Sequence, residues 1–180
     1  MPRFSLFLLG TDGPGIVATL SGALESHGCN LEDSTATVLQ DHFALMVVVT
    51  APDGTTAASL EEAIESTVKR HDLVVSIKEF HESVPAMDPS GSYEALVISV
   101  HGSDQPGIVH AISEVLARGG ANIVELSTQL VGDPEDPVYV MNIRALAPEG
   151  TRDAVAVEVD RASEELGVHC YMRRDDADTF

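Results

Sequence analysis

The chain has 180 residues, with 10 Lys and Arg against 29 Asp and Glu, two Cys, no Trp and a formal net charge of −19. Its 44% apolar and 22% charged residues are the composition of a folded chain, with room for one ordinary domain or two small ones. Both halves are acidic, −7 for residues 1–81 and −12 for the rest, so no basic arm is present to displace counterions from nucleic acid or an anionic lipid surface. Direct nucleic-acid and membrane partners are therefore not expected, and the longest apolar run, Phe43–Val49, is far short of the roughly 20 residues of a spanning helix.

In chain order, Phe4–Leu9 behind Arg3 resembles a short secretory leader but lacks a small-residue cleavage site, so a cytoplasmic location and a strand are expected instead. A helix follows from Pro14, because proline suits the first helical position. Its inward stripe is Ile16, Val17, Leu20 and Leu24, and Gly28 ends it as a left-handed cap. Asn30 begins a second strand whose interleaved polar residues suit a sheet edge. A tight hairpin at Asp41-His42 leads into HFALMVVVT, which is more continuously apolar and so more central. A second helix over about 56–71 turns Leu60, Ala63, Ile64 and Val68 inward, and LVVSIKEF is a short last strand. From His81 to Ser92 the chain has the Pro, Ser and Gly content of a linker.

The pattern then repeats with a constant shift of 92 residues, TDGPGIV…GCN against SDQPGIV…GAN. Gly10/Gly102, Asp12/Asp104, Pro14/Pro106, Gly15/Gly107, Ile16/Ile108, Val17/Val109, Gly28/Gly120 and Asn30/Asn122 all match without a gap. Leu96–His101 answers Phe4–Leu9 in mid-chain, where no leader can lie, so both are strands. The second copy's helices turn Ile108, Val109, Ile112 and Leu116, then Val155, Val159, Ala162 and Leu166, inward, and its hairpin connection is the longer GDPEDP. The expected organisation is a module over 1–81, a linker over 82–92, a second module over 93–174 and a solvated acidic tail over 175–180. Each module reads βαββαβ, which gives an α+β fold of two ferredoxin-like antiparallel sheets with the helices on one face.

The recurring constellation of Gly10, Asp12, Pro14-Gly15 and Asn30, and of Gly102, Asp104, Pro106-Gly107 and Asn122, joins the first strand to the first helix and the helix to the second strand. A helix N-terminus offers unpaired N–H groups and partial positive charge to a carboxylate. Glycine after proline admits a ligand close to the backbone, an aspartate accepts from an ammonium, and an amide orients either end of a small zwitterion. A free amino acid suits that set. The same aspartates could instead close Asx-turns, and the asparagines could be left-handed turn residues. No cofactor, no metal site and no catalytic residue is expected: His101, Ser103 and Asp104 are neighbours in sequence only. His101 and His110 lack a third ligand by spacing, and DGPG lacks the lysine and length of a phosphate loop. Cys29 and Cys170 are read as isolated thiols, with His169 and Cys170 on opposite faces of the last strand.

The D-x-P-G-I-V loop, the downstream G-x-N-[IL] and the βαββαβ order resemble the ACT domain, a small-molecule-sensing module, present twice. GTDGPGIV…GCNLEDS is especially similar to the tandem-ACT glycine cleavage system transcriptional repressors. The resemblance implies an effector site at Gly10, Asp12, Pro14, Gly15, Ile16 and Asn30 and at Gly102, Asp104, Pro106, Gly107, Ile108 and Asn122, formed where modules pair edge to edge through their second strands, each aspartate loop facing the other copy's asparagine. Serine-binding members can carry His where this chain has Gly10 or Gly102, and Asn where it has Asp12 or Asp104, so serine specificity is not implied. The function implied is a non-enzymatic sensor of a small, glycine-like amino acid that acts on a protein partner such as a DNA-binding activator, with a homo-oligomer compatible. The alternatives are a constitutive interaction module and a detached regulatory subunit of an amino-acid or one-carbon enzyme.

Overall fold

The computed structural model describes residues 1–80 and 91–175. The chain divides into two compact units, one on each side of residues 81–90. The linker expected over 82–92 and the tail after Asp175 lie largely outside the described residues.

The first unit runs β1 (Arg3–Thr11), α1 (Ile16–Ser26), β2 (Asn30–Leu39), β3 (His42–Thr50), α2 (Ala57–Arg70) and β4 (Val74–Glu79). The second repeats it as β5 (Tyr93–Ser103), α3 (Ile108–Arg118), β6 (Asn122–Asp133), β7 (Asp136–Pro148), α4 (Arg152–Leu166) and β8 (His169–Arg174). The sheets are ordered β2-β3-β1-β4 and β6-β7-β5-β8, and every neighbouring pair is antiparallel. This is the expected double βαββαβ fold, with β3 and β7 inside their sheets and β2 and β6 at an edge.

Alternation along the strands decides which sheet face the helices cover. Phe4, Leu6 and Leu8 of β1 and Val47 and Val49 of β3 point into one core, where Ile16, Leu20, Leu24, Leu60 and Ile64 of the helices meet them. The second core is built the same way from Leu96, Ile98, Val100, Met141 and Ile143 against Ile108, Ile112, Leu116, Val155 and Val159. Each such side chain contributes about 1.5–3 kcal/mol when fully buried. Helix α2 is fixed by a capping box, in which the Ser59 N–H donates to Thr56 Oγ1 at 3.2 Å and the Thr56 N–H donates to Ser59 Oγ at 2.9 Å. Helices α1 and α3 end as expected at left-handed glycines, Gly28 (φ 72°) and Gly120 (φ 74°). The N–H of each glycine and of the residue after it reach back to the carbonyls of Glu25 and Leu24, or Ala117 and Leu116.

Five expectations need correction. The first helices start two residues later than Pro14 and Pro106, at Ile16 and Ile108, because Gly15 and Gly107 take left-handed φ values of 91° and 100°. Val17 and Val109 are 49% and 39% exposed rather than inward, because the buried stripe of each helix runs through Ile16, Leu20 and Leu24 or Ile108, Ile112 and Leu116 and leaves them on its flank. The first hairpin turns at Gln40-Asp41, with Gln40 left-handed (φ 56°) and Leu39 opposite His42. The second does not spend GDPEDP as a loop: Asp133 pairs with Asp136, so the extra residues lengthen β6 and β7 instead. Finally, Asp175 is no solvated tail residue, since its carboxylate accepts from Arg144 Nε at 2.9 Å and is 15% exposed.

Candidate functional site

In the first unit the loop after β1 carries Asp12, Gly13, Pro14 and Gly15. Its start is fixed to the neighbouring hairpin by the Asp12 N–H, which donates to the Asp41 carbonyl at 2.8 Å. Asp12, Pro14 and Gly15 are exposed, and among the described residues the Asp12 carboxylate closes no Asx-turn. Gly15 is the N-cap, its φ of 91° open to glycine but strained for other residues, and no side chain caps the helix. The first intrahelical bond runs from the Thr19 N–H to the Gly15 carbonyl at 2.9 Å, so the N–H groups of residues 16–18 have no acceptor within the helix.

The second unit repeats this with Gly107, where the Ala111 N–H donates to its carbonyl at 2.9 Å. Here Gln105, in the place of Gly13, ties the loop to α4 through a hydrogen bond from its amide to the Leu166 carbonyl. Burial pushes the Tyr139 phenol up; a Thr128 hydrogen bond opposes this, and the Asp104 carboxylate adds to it.

The other candidate residues have different surroundings. A Cβ at Gly10 would lie 2.7 Å from Leu73 Cδ2 and 2.8 Å from the Asp72 carbonyl oxygen, and one at Gly102 2.9 Å from Val168 Cγ1. These glycines serve the close approach of the chain leading into β4 or β8. Ile16 and Ile108 are core residues at 2% and 1% exposure and offer a ligand only their backbone N–H.

Asn30 and Asn122 are exposed first residues of the edge strands. Because β1 and β2 are parallel to each other on either side of β3, Asn30 lies level with Thr50 and Arg3, whereas Asp12 follows Thr11 at the other end. Arg3 to Thr11 spans about 26 Å at about 3.3 Å per residue. One unit therefore does not bring its own aspartate and asparagine together, and the same register separates Asp104 from Asn122.

No group of three or more His, Cys, Asp or Glu placed to hold a metal occurs among the described residues. His101 stands opposite His169, ring centroids 5.5 Å apart, and among the described residues no hydrogen bond joins it to Ser103 or Asp104. Cys29 is buried and Cys170 half-buried, and burial raises both thiols above their ordinary range. No helix among the described residues is long and apolar enough to cross a membrane.

The sequence pattern of the ACT domain matches residues 6–78 and again 94–172. A UPF0237 protein of Methanopyrus kandleri is 34% identical over 85 residues, covering 47% of this chain and 92% of its own length. The glycine cleavage system transcriptional repressor of Escherichia coli K12 is 22% identical over 158 residues, covering 88% of this chain and 80% of that protein. The crystal structure of an unknown protein from Galdieria sulphuraria superposes with a TM-score of 0.82 at 29% identity, covering 96% of this chain and 98% of that one. With two matches that together span most of its length, each coinciding with one folded unit, the chain belongs to the ACT domain family.

Proposed function

We propose that the chain is a non-enzymatic regulatory sensor that takes up a small amino acid of glycine's size at the loops before α1 and α3 and controls a partner protein. The observation that carries this reading is the loop built twice: an exposed Asp-x-Pro-Gly turn whose left-handed glycine opens a helix with no side-chain cap. Uncapped N–H groups suit a carboxylate, Asp12 or Asp104 suits an ammonium, and the exposed glycines leave no Cβ to crowd a small ligand. Asn30 and Asn122 join such a site where a further ACT edge strand adds antiparallel along β2 or β6. Antiparallel addition sets the start of one edge strand beside the end of another.

The similarity to the glycine cleavage repressor over 88% of the chain supports glycine cleavage as the regulated process. At a net charge of −19 the output passes through another protein, such as a DNA-binding activator, and not through direct DNA contact. Ligand controls such a complex only by binding its free and complexed forms differently, with a coupling of about 5- to 150-fold as the usual range. A pull-down from native extract with and without millimolar glycine tests this. Partner recovery is expected to fall with glycine, and equal recovery contradicts ligand control. A mobility shift of duplex DNA by the protein alone at physiological salt contradicts the charge argument.

A constitutive interaction module is the second reading, favoured by the exposed Val38, Leu39 and Leu130 on the edge strands. It expects partner recovery indifferent to every amino acid.

A further inference from the structure

In the first unit Leu9 of β1 and Val74 of β4 stand directly opposite each other, and both are exposed. At the same register position of the second unit, just before Gly102, β5 and β8 carry His101 and His169. The fold asks for neither imidazole there, since aliphatic side chains fill the same two places in the first unit. Alternation sends both histidines to the sheet face away from the helices, because their neighbours Val100 and Cys170 pack against the core. Both are exposed, their ring centroids lie 5.5 Å apart with the planes tilted by 33°, and among the described residues neither ring takes part in a hydrogen bond.

Two imidazoles fixed side by side on paired strands are two nitrogen ligands held at one spot. With an ion about 2.1 Å from one nitrogen of each ring, it stands about 3.2 Å from each centroid, and centroids 5.5 Å apart then subtend about 120°, near the tetrahedral angle. Both rings are exposed and χ2 of histidine has broad wells, so the two ring planes can turn to contain the ion without backbone movement. Solvent gives the ion its entry path. Imidazole selects Cu²⁺, Ni²⁺ and Zn²⁺ over the oxygen-seeking Mg²⁺, Ca²⁺ and Mn²⁺, and the net charge of −19 raises the local concentration of any cation.

We propose that His101 and His169 form a two-histidine chelate for a divalent transition-metal ion, Cu²⁺ most tightly and Ni²⁺ or Zn²⁺ less so, with water in the remaining positions. The ion staples β8, an edge strand of six residues, to β5 inside the sheet. Because it engages the two histidines together only in the folded sheet, it stabilises the second unit. The chelate uses neither the loop from Asp104 to Gly107 nor Asn122, so it stands apart from the amino-acid reading.

The test is a calorimetric titration of the metal-stripped full chain with Cu²⁺, with electron paramagnetic resonance to count the nitrogen ligands. One equivalent is expected to bind through two nitrogens, with Zn²⁺ competing more weakly and Mg²⁺ not at all. His101→Gln and His169→Gln should each weaken binding about a hundredfold, since either leaves one imidazole where two act together. Both side chains are exposed, so the variants should fold as the wild type does. His42→Gln and His110→Gln, also exposed, should bind Cu²⁺ unchanged. The converse variant, Leu9→His with Val74→His, sets the same pair at the same register of the first unit and should raise the stoichiometry from one ion to two. Zn²⁺ should raise the Tm of the wild type and not that of His169→Gln. Absence of Cu²⁺ binding, wild-type affinity in His101→Gln or His169→Gln, an equal loss in His110→Gln, or no second ion in the converse variant would overturn the proposal.

Discussion

Gly10 and Gly13 stand three residues apart in the same motif, and the structure gives their replacement by alanine opposite consequences. At Gly10 the new Cβ would sit 2.8 Å from the Asp72 carbonyl oxygen and 2.7 Å from Leu73 Cδ2, while at Gly13 nothing lies within 4 Å. Neither residue has a positive φ, so alanine loses less entropy on folding at both and gains about 0.4–1 kcal/mol. Overpacking costs about 1–3 kcal/mol in a well-packed site, and one of the two neighbours at Gly10, the Asp72 carbonyl oxygen, is backbone, which cannot rotate away. Gly10→Ala should therefore lose up to about 2.6 kcal/mol net, whereas Gly13→Ala should be neutral or slightly stabilised. Gly102→Ala should fall between them, because the backbone atom it meets, Val168 Cα, lies 3.2 Å away rather than 2.8 Å. Urea unfolding followed by circular dichroism, with calorimetry to separate the two units, measures this; Tm moves by about 4–8 °C per kcal/mol for a domain of this size. A Gly10→Ala protein as stable as Gly13→Ala would refute the packing role and return Gly10 to the ligand loop.

Asn30→Ala and Asn122→Ala should each weaken amino-acid binding while changing stability by no more than about 0.5 kcal/mol, because both side chains are exposed. Calorimetric titration beside a melting curve checks both halves of that expectation. Hydrogen bonds from Thr50 and Arg3 hold the Glu32 carboxyl below the usual carboxylate range. Its pairing with Arg3 should therefore persist as pH falls through the ordinary glutamate range and be lost only below it. NMR titration of Glu32 should show this, and Arg3→Ala should move its midpoint upward. Limited proteolysis should cut first between Glu82 and Ser92, where the sequence has its linker composition; early cleavage within Val47–Val49 would count against two modules.

The fold was legible because the helical stripes and the repeat are both periodic signals. Ile16, Leu20 and Leu24 recur as Ile108, Ile112 and Leu116, and a pattern seen twice is hard to misread. What escaped was set by geometry that no period records. Gln40 is not a usual left-handed turn residue, so the sequence points to a hairpin one residue late. Asp175 reads as the head of an acidic run because its partner, Arg144, is 31 residues away. The bulges at Glu32 and Val124 leave no compositional mark. Asn30 and Asp12 look like one motif because a single helix separates them. That helix returns the chain to the end of the sheet where β1 began, so they part by the length of a strand. The topology that the repeat implies contains that separation, but proximity in sequence conceals it.

The most direct test of the sensing role is thermal unfolding of the wild-type chain against each of the twenty amino acids at millimolar concentration. A ligand that binds only the folded protein stabilises it by RT ln(1 + [L]/Kd), about 2.7 kcal/mol at a hundredfold excess over Kd. The expected result is a saturable rise in Tm with glycine or an amino acid of similar size, reduced in Asn30→Ala and Asn122→Ala. An unchanged melting curve with all twenty would contradict amino-acid sensing and leave the pair of ACT modules as a constitutive interaction unit.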